Sequence, residues 1–145
     1  MAKRVRELDE NKIAFKVFED KNLQAQIIDL NTTSQLYNKG VDAEGRSLGE
    51  YSLATIYGTS NFSGKIEKGQ RFDHITLNDT GEFYQSFRFV NQSDGFTITA
   101  DSVKDGNDLE KVFGKIVGLT QESVQEIIPE VRESMLAETR KAIIG

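Results

Sequence analysis

The chain has 145 residues, with 23 acidic and 18 basic side chains, one His, one Pro, and neither Cys nor Trp. That length suits one domain. The missing thiols exclude a disulfide framework, a thiolate zinc site and a cysteine nucleophile, and a lone His excludes a multi-histidine metal site. The acidic balance also argues against sequence-independent nucleic-acid binding, which needs a basic face to displace phosphate counterions.

Charge is uneven: residues 1–71 hold 11 basic and 10 acidic groups, residues 72–145 hold 7 and 13. No apolar run approaches the ~20 residues of a membrane span. The charged stretch Met1 to Glu10 does not read as a signal peptide.

The first 38 or so residues read as helical. Val5 and Leu8, then Phe15 and Phe18, are three apart, and Leu23, Ile27, Leu30, Ser34 and Tyr37 alternate steps of four and three along one face. Asn31-Thr32-Thr33 is poor helix sequence and is expected to kink or break the segment. Gly40 after Lys39 supplies the stop.

Residues 40–71 lose both periods. Six glycines fall here among Ser, Thr and Asn, with Tyr51, Tyr57 and Phe62 spaced between them and Lys65, Lys68 and Arg71 at the end. A flexible linker has no need of those aromatics. The segment therefore reads as an extended arm that orders against a neighbour, with these six residues as the predicted subunit interface.

Phe72–Leu77 reads as a short strand, and Asp79-Thr80-Gly81 as a turn in which Gly81 takes a backbone conformation that a Cβ would resist. Asp79 or Thr80 then caps a short helix over Glu82–Ser86. Phe87 and Phe89, the turn Gln92–Gly95, and Phe96, Ile98 and Ala100 make the clearest feature, a β-hairpin. After a polar loop, Leu109–Phe113 forms a short helix closed by Gly114 or Gly118. Thr120 caps a last helical stretch with a stripe of Val124, Ile127, Ile128, Val131, Met135 and Ile143. Pro129 either kinks it or begins a second helix. The expected core sets Leu23, Ile27, Val124, Ile128 and Val131 over Phe87, Phe89, Phe96 and Ile98. The class is α+β.

Candidate chemistry is thin. Gly58 to Lys65 has five residues between its glycines where a phosphate loop has four, and Ile66 stands where Ser or Thr would hold Mg²⁺, so it reads as a loop. Asp101 to Asp108 resembles half a calcium loop, but Val103 occupies a liganding position and the bidentate Glu is missing at the loop's end, next to Phe113. Asp73-His74 is the one possible carboxylate–base pair. Adjacent strand residues point to opposite faces, so this reads as a surface His. Four Asn-x-Ser/Thr tripeptides carry no weight without a secretory signal. No catalytic, cofactor or metal residues are assigned.

Two ordered stretches resemble a known family. One is Gly40-Val-Asp42-Ala-Glu-Gly45, then Leu48-Gly-Glu-Tyr51-Ser52-Leu-Ala-Thr55, then Lys65 to Gly69; the other is Thr76-Leu77-Asn-Asp79-Thr80-Gly81-Glu-Phe83-Tyr84-Gln-Ser86-Phe87. Together, over roughly residues 30–100, they are similar to the small neck or tail-completion proteins of tailed bacteriophages, the virion morphogenesis proteins. The resemblance implies an α+β subunit of a homo-oligomeric ring below the portal, made in the host cytoplasm and resident in the virion. Its partners would be other neck, portal or tail proteins. DNA would only pass through the channel, and no membrane, enzyme activity or cofactor is implied. The acidic second half and two-part C-terminal helix have no counterpart in that pattern. The alternatives are a stand-alone binding module, such as an inhibitor of a host protein, and a small enzyme using His74 with Asp73 or Asp79.

Overall fold

The structure is a computed structural model that describes residues 9–104 and 106–144; the helical spacing of Val5 and Leu8 lies outside them. The architecture is α+β. Helices α1 (Glu10–Val17) and α2 (Lys21–Asp29) lead directly into a π-helical segment, Leu30–Lys39. Helix α3 (Leu53–Tyr57) lies in the glycine-rich region and α4 (Glu82–Gln85) precedes the hairpin β1 (Arg88–Gln92) and β2 (Gly95–Thr99). A second, two-residue antiparallel pair, β3 (Val103–Lys104) and β4 (Asn107–Asp108), occupies the expected polar loop. Then come α5 (Leu109–Phe113) and the long α6 (Gln121–Ile144).

Side-chain caps set the helix starts. Asp9 accepts from the amides of Asn11 and Lys12, and Asp20 from that of Asn22, so α1 and α2 separate at Phe18–Asp20. Asn31-Thr32-Thr33 does not break the chain. It widens into the π segment, because Asn31 and Gln35 are needed on the buried face. Asn31 donates from Nδ2 to the Ile116 carbonyl (3.0 Å) and accepts at Oδ1 from the Gly118 amide (2.7 Å). Gln35 donates from Nε2 to the Gly118 carbonyl (2.9 Å) and accepts at Oε1 from the Thr120 amide (2.9 Å). Two fully buried amides thus meet alternate backbone groups of the Ile116–Thr120 crossover, as a neighbouring strand would.

That clamp also fixes the start of α6. Thr120 accepts at Oγ1 from the Ser123 amide (3.1 Å), and Ser123 is fully buried. The inward line of α6 therefore runs Ser123, Ile127, Val131 and Met135 in steps of four. Val124, expected in the core, is one residue off that line and 38% exposed. Ile128 is half-buried and belongs to neither core cluster. Helix α6 runs unbroken through Pro129, so it is one helix and not two. Pro129 and Gln125, whose carbonyl loses its partner, are both exposed, where water can replace the missing bond.

The hairpin has the expected place, pairing Phe89 with Ile98 and Gln92 with Gly95 around Ser93-Asp94. Phe89 and Phe96 stack at 4.7 Å, and Phe18 lies 5.1 Å from Phe96. They join Val17, Leu23, Ile27 and Ile127 in one cluster. Phe87, just before β1, joins Leu36, Leu48, Phe83 and Ile116 in a second, and Ile98 packs against both.

The expected strand Phe72–Leu77 is absent. Thr76 donates its amide to the Tyr51 hydroxyl (2.9 Å) and its carbonyl accepts from the Tyr84 hydroxyl, so two tyrosines take the bonds a strand would make. Leu77 has φ 59°, which leaves the extended region altogether.

Replacing Asn31 by Ala should destabilise the fold by about 1–3 kcal/mol for each buried backbone group left without a partner. Exposed Thr33→Ala should stay within about 0.5 kcal/mol. Urea denaturation of the two variants checks the clamp; equal effects would contradict it.

Candidate functional site

Residues 40–71 are not an extended arm; they fold back on the body. Asp42, buried, accepts at Oδ1 from the amides of Glu44 and Arg46 (2.9 Å each), which closes the Asp42–Gly45 turn, and Ala43 donates to the Lys115 carbonyl (2.7 Å). Gly40 ends the π segment at φ 63°, where a Cβ would come within 2.3 Å of the His74 ring. Further on, Lys65 and Ile66 donate to the carbonyls of Thr55 and Ile56, and a bridge joins Gly58 to Ser63.

These bonds carry Phe62 and Ile66 back beside α3, on which Leu53 and Tyr57 lie one turn apart. All four are exposed, at 73% (Leu53), 68% (Tyr57), 51% (Phe62) and 46% (Ile66). They are large apolar side chains presented to solvent on one folded segment. Tyr57 and Phe62 were singled out from their spacing, and the structure leaves both exposed. Leu53 and Ile66 were not, because nothing in the sequence marks them as exposed.

The other predicted interface residues have internal roles. Tyr51 is half-buried and holds Thr76. Lys65 is only 6% exposed, its Nζ 4.5 Å from the Tyr51 ring centroid and 3.3 Å from Gln70 Oε1. Lys68 pairs with Asp79 (3.2 Å). Arg71 forks onto Asp73, with Nε 2.7 Å from Oδ1 and Nη2 3.1 Å from Oδ2, and lies over the Tyr37 ring. The expectation that the three cations face an acidic neighbour is corrected accordingly: Lys68 and Arg71 pair with Asp79 and Asp73, and Lys65 is buried inside the chain.

A cavity of about 350 Å³ opens between this segment and the second core cluster. Tyr51, Phe62 and Phe113 wall it, and Lys65, Lys68, Lys104 and Asp79 supply its charges. Burial works against ionising Asp79, but hydrogen bonds from Gln70 and Lys68 outweigh it and hold the carboxyl below its ordinary range. Tyr84 is pushed upward, first by burial and then by the neighbouring Tyr51 and Tyr37, so its phenol remains a donor to Thr76.

Asp73 and His74 depart from the sequence reading. Residues 73–74 form a bend instead of a strand, so the two side chains do meet, with Nδ1 3.4 Å from Oδ2. Nor is His74 a surface residue: its side chain is largely covered, and Nε2 lies 2.7 Å from the Tyr37 carbonyl at the end of the π segment. Both ring nitrogens are engaged, which suits a cap on the helix end. Asp73 is held at about 2, chiefly by the hydrogen bond from Arg71.

Among the described residues no helix is long and apolar enough to cross a membrane, and no group of His, Asp or Glu is arranged to hold a metal ion. Comparisons with protein-family models, curated proteins and solved structures return no match for the chain.

Gly40→Ala should destabilise by more than the ~1–2 kcal/mol of a left-handed non-glycine residue alone, because of the His74 clash. In a His74→Ala background the penalty should shrink toward that value, which a double-mutant cycle in urea measures. A depressed carboxylate stabilises the fold above its unfolded value, near 3.8, and loses that contribution as pH falls toward about 2. Asp73→Asn should therefore flatten the fall in melting temperature between roughly pH 4 and pH 2.

Proposed function

We propose that this chain is a structural subunit of a ring in the neck of a tailed bacteriophage, joining the DNA-filled head to the tail, with no enzymatic role. The observation that carries this reading is the exposure of Leu53, Tyr57, Phe62 and Ile66, four large apolar side chains on one folded segment. Large exposed side chains of this kind anchor protein interfaces. These residues lie within the stretch that resembles the neck proteins.

Uneven charge supports the same reading. Helix α6 exposes Glu122, Glu126, Glu130 and Glu133, and a groove of about 360 Å³ between it and the α2–π face adds Asp29. Rings are built by head-to-tail contacts between unlike patches, and the exposed apolar side chains and the acidic helix are two unlike patches of one chain. Acidic faces toward a channel would also discourage passing DNA from sticking. On this reading the protein is made in the host cytoplasm and resides in the virion beside portal, neck or tail proteins.

Ser at Tyr57 and Phe62 together should leave the melting temperature near that of the parent, since both side chains are exposed, and should abolish incorporation into particles. Proteomics of purified virions checks both points. Presence of the parent in particles separates a ring subunit from an inhibitor of a host protein. Normal head–tail joining by the double variant would place the interface elsewhere.

A further inference from the structure

The cavity beside α3 has an imbalance that assembly does not explain. Three ammonium groups line it and one carboxylate, Asp79, serves two of them: Lys68 at 3.2 Å and Lys104 at 3.8 Å. Lys65 is the deepest cation, and among the described residues it has no carboxylate partner. Its ammonium meets only a neutral amide oxygen of Gln70 and the face of Tyr51. Buried charges are ordinarily paired, because desolvation without a counter-charge is costly. The remaining walls are largely apolar, with the rings of Phe62 and Phe113 facing the same space. The volume lies at the lower end of small-molecule sites.

We propose that this cavity is a binding site for a small organic carboxylate, a carboxyl group on an aromatic or branched apolar stem. The carboxylate is received by Lys65, with Lys68 and Lys104 at the rim, and the stem lies between Phe62 and Phe113. A monoanion matches one deep ammonium. Inorganic phosphate fits less well, because apolar walls would strip its water while lysines alone offer too few fixed donors, without the fork that arginine brings. This inference does not depend on the neck reading, since the cavity is formed within one chain.

The test uses the full chain and three probes: 3-phenylpropionate, its neutral amide, and inorganic phosphate. Calorimetry gives affinities, and amide chemical-shift mapping gives the location. The acid should bind with millimolar affinity or better and shift residues around Lys65, Phe62 and Lys104, while the amide and phosphate bind at least about tenfold more weakly, the equivalent of one lost charge-assisted contact. Lys65→Met should weaken the acid by about tenfold or more, and Lys104→Met by a smaller factor. If Lys65→Met does not fold, Lys104→Met and Lys68→Gln decide the matter. Equal binding of acid and amide, phosphate binding as tightly as the acid, shifts mapped elsewhere, or affinity unchanged in both rim variants would each overturn the proposal.

Discussion

The contact on which the rest of the fold depends is the pairing of the Asn31 and Gln35 amides with the backbone from Ile116 to Thr120. A polar group without a partner in the interior costs more than a made hydrogen bond contributes, so this arrangement is specific: the crossover fits in one register or leaves four buried groups unsatisfied. Through Thr120 and Ser123 it fixes where α6 begins and which face of α6 turns inward. Through Ile116 it seats the second core cluster against Leu36 and Phe87. The π-helical widening of Leu30–Lys39 belongs to the same constraint, because it keeps both amides on the buried side of a segment otherwise poor in helix formers.

A second polar knot does comparable work for the glycine-rich half. Thr76 is almost fully buried, with Tyr51 and Tyr84 on its amide and carbonyl. This holds residues 72–79 against the body without a sheet. The chain can then pass through a left-handed Leu77 and form one wall of the lysine-lined cavity. Strain of that kind persists only where surrounding contacts over-determine it. The inner side of the segment is engaged through Tyr51 and Lys65, Leu53, Tyr57 and Ile66 are left exposed, and half-exposed Phe62 edges the cavity.

The end of the π segment couples the two halves. Gly40, His74 and Asp73 meet there, with Arg71 completing a chain of charge to Tyr37. A pair read from its spacing as a surface histidine beside an unrelated aspartate is instead a helix cap. Four residues of diverse type meet at one helix end, which explains why they invite a catalytic reading in sequence.

Local chemistry made much of this legible from the sequence alone. The hairpin follows from alternation around Asp94-Gly95, the helix stop from Gly40, and the short helix at Leu109 from its closing Gly114. Each depends on neighbours a few positions away, which is the range over which residue pattern carries information. What tertiary structure decided lies beyond that range. Asn31 read as part of a helix-breaking run, and Gln35 drew no notice, because their partners are 83 to 87 residues distant. Thr76 read as strand because the tyrosines that take its bonds lie outside the local pattern. Lys65 read as an exposed cation because only packing puts it under Tyr51. A polar side chain carries no mark of whether water or a distant backbone will satisfy it, and in this protein that choice sets the path of the chain, the inward face of the last helix and the charge of the cavity.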